Sequence, residues 1–210
     1  MLFKICGLKE INTIECCEKN NVDFFGMIFY EKSPRYITLK QAQKLVEFSK
    51  SKNIKAVGVF FNENLEVVKS YIKNLDLKIV QLHGKENEGY IKKIKHRSVL
   101  EVIKSISIKD KEDFKIINNY QANDYFLLDY KPEKNDLPGG NAKQFDWSLL
   151  SDLKINKPWF LSGGINGSNI NEIKNYINPN GIDLSSGVEE SPGIKNVKMI
   201  NNLFEKYYVK

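Results

Sequence analysis

Short apolar runs recur along the chain at 2–6, 23–29, 55–60, 78–83, 98–105, 124–130, 159–163 and 181–185. Each has the length of a buried strand. Between most of them the apolar positions follow helical spacing. Over 39–50, Ala42, Leu45, Val46 and Ser49 fall on one stripe, and over 64–73 so do Leu65, Val68 and Ile72. Strands that alternate with amphipathic helices predict a parallel sheet. Eight such units predict a closed (β/α)8 TIM barrel spanning 1–210 as one domain, compact against the usual ~250 residues. A doubly wound open sheet has the same alternation, but no G-x-G-x-x-G follows the first run.

In such a barrel alternate residues of each strand point inward, and the C-terminal strand ends form the active face. Chemistry is therefore expected where the apolar runs stop. The first ends at Lys4-Ile-Cys-Gly7, with Lys4 and Cys6 on one face. Cys6 reads either as a small core residue or as a reactive thiol, which a neighbouring ammonium would help to ionise. The second runs into a polar loop carrying Arg35, whose fork fits a carboxylate or phosphate. The fourth puts Gln81 and His83 on one face, His83 being either an acid–base group or a hydrogen-bonded structural residue. The fifth offers nothing specific. The sixth ends in Asp129, ahead of a loop containing Pro138-Gly-Gly140; a carboxylate there must be solvated, paired or used. Asp146 is placed near a helix cap.

Two glycine-containing turns close the pattern: Ser162-Gly-Gly164, and Ser185-Ser-Gly187 with a short helical turn beginning after it. Backbone amides at two successive strand ends suggest one divided phosphate grip, as follows strands seven and eight of barrels. Gly163, Gly164, Ser185 and Ser186 are its expected members. Asp183, inside the eighth run, needs an inward partner, and Lys4 is the nearest candidate across the closure of strands one and eight. Lys4 also reads as the only strand lysine so close to a candidate site.

Composition narrows the function classes. The net charge is +6, but the lysines are scattered rather than clustered, which argues against nucleic acid and suits an anionic small substrate. No apolar run approaches the ~20 residues of a membrane span, and the start lacks the plan of a signal peptide. No membrane partner and a cytoplasmic location are expected. The three cysteines, Cys6 and the adjacent Cys16 and Cys17, form no C-x-x-C, so neither a disulfide framework nor a metal site is expected. Cys16 and Cys17 read as helix packing residues.

Taken together, Lys4-Ile-Cys-Gly7, Ser33-Pro-Arg-Tyr36, Val57-Gly-Val-Phe60, Val80-Gln-Leu-His-Gly84, Leu127-Leu-Asp129, Phe145-Asp-Trp147, Ser162-Gly-Gly164 and Asp183-Leu-Ser-Ser-Gly-Val-Glu189 occur in an order and spacing that resembles the phosphoribosylanthranilate isomerases. The resemblance covers nearly the whole chain. It implies a cofactor-free barrel enzyme of tryptophan biosynthesis that acts on a phosphorylated small molecule by an Amadori rearrangement, as a monomer or homodimer. It implies Cys6 as general base, Asp129 as general acid, Arg35 as the group orienting the anthranilate, and Gly163, Gly164, Ser185 and Ser186 on the phosphate, with His83 as a further substrate contact. One departure stands out. The family commonly has Gly-Gly-Ser/Thr-Gly-Lys after the sixth strand, and here the sequence is Gly139-Gly-Asn-Ala-Lys143, which restricts that loop. The alternatives are another phosphate-binding barrel enzyme, such as indole-glycerol-phosphate synthase, and a non-catalytic phosphate-binding barrel.

Overall fold

The computed structural model describes residues 1–133, 139–140, 143–151 and 153–208. Eight parallel strands close into a barrel in sequence order. They are β1 (Leu2–Cys6), β2 (Phe24–Ile28), β3 (Lys55–Phe60), β4 (Ile79–Leu82), β5 (Glu101–Ile108), β6 (Tyr125–Tyr130), β7 (Trp159–Leu161) and β8 (Gly181–Leu184). Pairing of β1 with β8 sets Leu2 opposite Gly181 and Lys4 opposite Asp183, and this closes the ring. The open doubly wound sheet is thereby excluded.

Alternation within the strands separates two cores. Outward residues such as Phe3, Ile5, Phe25, Leu128 and Ile182 pack under the helices. Inward residues, among them Phe24, Val57, Ile79, Ile103, Leu127 and Phe160, fill the barrel. Phe160 meets Phe24 edge-on at 5.9 Å between centroids. Gly181 makes room for that ring: a Cβ there would lie 2.3 Å from it. The apolar floor leaves only the upper ends of the strands for polar side chains.

Four α-helices follow the first four strands: α1 (Ile11–Lys19), α2 (Leu39–Ser49), α3 (Leu65–Leu75) and α4 (Glu88–Lys95). A fifth, α5 (Val197–Tyr208), ends the described chain. Thr38 and Gln41 form a capping box at the start of α2, which buries Ala42, Leu45 and Ser49, while Val46 is only half-buried. Cys16 and Cys17 are buried in α1, as their packing role requires. Between β5 and β8 the crossovers are 3-10 stretches instead, at Lys111–Asn119, Trp147–Leu150 and Ile170–Asn175. The first and third are rich in Asn and isoleucine, weak helix formers, and the brevity of the crossovers is how a barrel fits in so short a chain. Asp146 caps the second of them, accepting from Ser148 N–H at 2.9 Å.

The fifth run is displaced from its strand, 98–105 against Glu101–Ile108. Beyond 105 the strand continues because Ile106 and Ile108 still face the helical layer. Asn141 and Ala142, where the loop after β6 departs from the family pattern, lie outside the described residues, as does Pro138.

Candidate active site

A cleft of about 600 Å³ opens at the C-terminal end of the barrel. Cys6 and Asp129 both line it, with Arg35, His83, Ser162 and Ser185. One wall is apolar and aromatic: Ile28, Tyr30, Val59, Phe60 and Phe61. A second chamber of about 360 Å³ adjoins it and shares Asp129, Asp183 and Ser185. Gly163, Gly164 and Ser186 line this chamber. The two strand-end turns therefore border one space. Gly163 and Gly164 have φ of +91° and +66°, values that turn the backbone at the end of β7 and that side chains disfavour.

Cys6 ends β1, buried and opposite Gly26 of β2. A Cβ on Gly26 would lie 2.7 Å from Cys6 Sγ, so the glycine provides space for the thiol. Burial pushes the Cys6 thiol above its ordinary range, and Lys4 and Lys195 pull it back only in part. Lys4 alone does not make a thiolate, because its own nearest anion is elsewhere. Its Nζ lies 2.8 Å from Asp183 Oδ1, the pairing expected across the barrel closure. Burial would lower the Lys4 pKa, but Asp183 and Cys6 outweigh it, and the ammonium is held above its ordinary range.

Asp129 is the inward residue near the end of β6. Its Oδ1 accepts from Tyr130 N–H at 2.8 Å, and Oδ2 is 3.5 Å from His83 Nε2. Burial, and next the like charge of Asp183, push its pKa up to about 7. A carboxyl group tuned in this way holds a proton near neutrality, which an acid catalyst needs. His83 follows β4, and its Nδ1 is 2.8 Å from Gln81 Nε2.

Arg35 is buried against the cleft. It donates from Nε to Glu189 Oε1 at 2.8 Å and from Nη2 to Glu189 Oε2 at 2.7 Å. Nη2 also donates to Gly140 O at 3.2 Å. The fork expected to hold a ligand is thus anchored on one side by a carboxylate of the protein, and among the described residues the two Nη1 protons remain for a ligand.

Several residues of the site escaped the sequence reading. Lys195 lies in the short strand β10 (Ile194–Lys195), which pairs with β9 (Glu189–Ser191). Its buried Nζ donates to Ser185 O at 3.0 Å and to Glu189 Oε1 at 2.6 Å. Ser185 Oγ in turn donates to Cys6 O at 3.1 Å. Lys4 is therefore not the only strand lysine beside the site. Lys104, on the fifth strand, lines neither chamber and shares the outward parity of Val102 and Ile106; its Nζ donates to Gly84 O at 2.6 Å and pairs with Glu86 at 3.3 Å. Glu86 accepts from Gly84 N–H at 2.9 Å and Asn62 N–H at 2.6 Å. That clasp fixes the turn that carries His83. A lysine within the apolar run Val-Ile-Lys-Ser-Ile was the available signal, since a buried charge needs a partner. For Lys195 no local signal existed. Among the described residues, no group of three or more His, Cys, Asp or Glu is arranged to hold a metal ion.

The chain matches, over residues 3–206, the model of the N-(5'phosphoribosyl)anthranilate (PRA) isomerase family. An N-(5'-phosphoribosyl)anthranilate isomerase of Rhizobium etli is 40% identical over 205 residues, 97% of this chain and 92% of that protein. The crystal structure of phosphoribosyl anthranilate isomerase from Thermotoga maritima superposes with a TM-score of 0.87 at 31% identity, covering 98% of each chain. A phosphoribosyl anthranilate isomerase in complex with reduced 1-(o-carboxyphenylamino)-1-deoxyribulose 5-phosphate superposes with a TM-score of 0.83 at 30% identity, again over 98% of each.

Proposed function

The chain belongs to the N-(5'-phosphoribosyl)anthranilate isomerase family, and from that membership we propose which of its residues carry the reaction. The enzyme converts N-(5-phosphoribosyl)anthranilate to 1-(2-carboxyphenylamino)-1-deoxyribulose 5-phosphate, a step of tryptophan biosynthesis. Asp129, protonated, gives its proton to the furanose ring oxygen. The ring opens and leaves a Schiff base between C1′ and the anthranilate nitrogen. Cys6, as thiolate, takes the proton from C2′, and the electron pair of that bond forms the C1′–C2′ double bond of an enolamine. Tautomerisation to the aminoketone moves a proton from the 2′-hydroxyl to C1′. Within one molecule C2′ is oxidised from alcohol to ketone and C1′ is reduced by the same two electrons.

The two chambers suit the two ends of the substrate. The aromatic wall of Tyr30, Phe60 and Phe61 fits the anthranilate ring, and the Nη1 edge of Arg35 suits its carboxylate. Gly163, Gly164, Ser185 and Ser186 border the chamber assigned to the phosphate, and His83 contacts the sugar between them. Lys4, Arg35 and Lys195 against Asp183 and Glu189 leave one excess positive charge while Asp129 is protonated and Cys6 is a thiol, which favours an anionic substrate. One continuous domain over 1–210 and a cytoplasmic setting belong to the same reading. Cys6 must stay reduced there, and cytosolic thiols do.

The observation that carries this reading is a buried carboxyl with a pKa near 7 lining the same cleft as a strand-end thiol. It is tested by following the loss of anthranilate-type fluorescence from freshly made phosphoribosylanthranilate. Cys6→Ser, nearly isosteric but a far weaker base, should fold normally and lose about 10²- to 10⁴-fold in kcat. Near-normal turnover by that variant would remove Cys6 from the mechanism.

A further inference from the structure

Lys195 is buried at 2% exposure and lines neither chamber, and the rearrangement just described leaves it without a task. Its Nζ donates to Ser185 O at 3.0 Å, to Ser185 Oγ at 3.3 Å and to Glu189 Oε1 at 2.6 Å. An ammonium has three protons, so all three are committed and none is left for a ligand. Two of them go to one residue, and that residue borders both chambers.

Ser185 passes the connection on. Its hydroxyl accepts from Lys195 and donates to Cys6 O at 3.1 Å. Its carbonyl takes Lys195 together with Val188 N–H at 3.3 Å. The peptide unit joining Ser185 to Ser186 is planar and trans, so its N–H points away from its C=O. Holding the carbonyl on Lys195 therefore turns the Ser186 N–H the opposite way, and Ser186 lines the second chamber. The turn is braced from both sides. A Cβ on Gly187 would collide with Ile165 O, so this turn and the one after β7 meet through their backbones. A Cβ on Gly193, at the bend between β9 and β10, would collide with Pro34 O in the loop that carries Arg35.

We propose that Lys195 is a positioning residue that aims the Ser186 N–H into the phosphate chamber by holding the other end of the same peptide plane. The proposal rests on the second chamber being the phosphate site. It predicts an asymmetry between the two ends of the substrate. Without Lys195, Glu189 still holds the Arg35 fork through its two bonds, so the anthranilate end keeps its anchor while the phosphate end loses its aim.

Proton–nitrogen NMR of protein labelled with nitrogen-15 serine tests this, with a Ser186→Ala variant to identify the Ser186 amide by its loss. In the wild type, inorganic phosphate should move the Ser186 amide proton to lower field. Lys195→Met removes all three donors; the movement should shrink, and inorganic phosphate and substrate should both bind about tenfold more weakly, with a smaller change in kcat. Lys195→Arg keeps the charge for Glu189, but a planar fork cannot place two protons on Ser185 as the ammonium does. It should fold as the wild type and still lose about threefold or more in phosphate affinity. A folded Lys195→Arg or Lys195→Met protein that binds phosphate like the wild type would overturn the proposal. So would a wild-type Ser186 amide that ignores phosphate while Gly164→Ala weakens it, a result that keeps the chamber and sinks the role of Lys195 alone. Phosphate that responds to neither turn would remove the chamber assignment itself.

Discussion

Glu189 grips Arg35 through two parallel bonds of 2.8 and 2.7 Å, although the two residues stand 154 positions apart. Lys195 bonds to the same carboxylate at 2.6 Å. One buried anion thus joins the loop after β2 to the turn after β8. Arg35 is aimed by this arrangement, and the Glu189 carboxyl is held below its ordinary range: burial opposes this, but Arg35 and Lys195 outweigh it.

Arg35→Ala should lower kcat/KM by about ten- to a hundredfold, the usual worth of a charge-assisted bond, and leave inhibition by inorganic phosphate nearly unchanged. Glu189→Ala should weaken the same discrimination and also destabilise the fold, by about 3–5 kcal/mol, because two buried cations lose their partner. Steady-state kinetics with phosphate as competitor, and urea denaturation, separate the effects. Equal loss of affinity for substrate and phosphate would assign Arg35 to the phosphate instead.

The pH dependence of kcat/KM follows from the two shifted groups. Asp129 titrates at about 7, and Cys6 above the ordinary thiol range. The productive form carries the proton on Asp129 and none on Cys6, the reverse of the majority form between those values. Below pH 7 activity climbs as thiolate accumulates. Above it, each gain in thiolate is offset by an equal loss of protonated Asp129, so the profile is flat until Cys6 titrates. The lower inflection therefore reports Asp129 and the upper one Cys6. An upper inflection that survives in the residual activity of Cys6→Ser would belong to another group.

Asp129→Asn should abolish most of kcat with a smaller effect on substrate binding, and it should also change stability with a particular sign. The folded pKa of Asp129 is raised, so its proton is held more tightly in the folded state than in the unfolded chain. That contribution is complete below about pH 4 and is lost as pH rises through 7. Wild type should therefore lose ground against Asp129→Asn between those limits, on the order of 2–4 kcal/mol in all. Denaturation curves at pH 4 and pH 8 measure the difference, and a gap that does not widen with pH would contradict the raised pKa.

The phosphate chamber is tested at Gly164. Its φ of +66° disfavours any side chain, and a Cβ would lie 2.9 Å from the backbone between Lys143 and Gln144. Gly164→Ala should weaken inorganic phosphate and substrate together. Ser186→Ala should be milder, because its backbone N–H survives. A Gly164→Ala enzyme that binds phosphate normally would move the phosphate elsewhere.

The legible part of this protein lies in its strands. Period-two alternation needs only neighbouring residues, so the pattern placed Cys6 and Asp129 at strand ends at the mouth, and Asp183 within the eighth strand with Lys4 as its partner. The displaced fifth strand shows the limit, since Ser105 and Ser107 break the apolar run while the backbone pairs on to Ile108 opposite Tyr130. Of the three 3-10 crossovers only the second had an expected helix start, at Phe145-Asp146-Trp147, and it forms a single short 3-10 stretch that Asp146 caps; the form of the other two was left to packing.

The sequence by itself determined the barrel, the strand ends that carry the chemistry, the glycine turns and the family, because these depend on local periodicity and on residue order. Only the tertiary structure decided what each group is paired with. Beyond the Lys4–Asp183 pair, which closure of the barrel already predicts, Arg35 is taken by Glu189, Lys195 reaches the Ser185 turn, and Gln81 turns its amide toward His83. Those pairings, with burial, set the ionisation of Asp129 and Cys6. Charge and dielectric act through space, and the distances that govern them exist only once the ring of strands has closed.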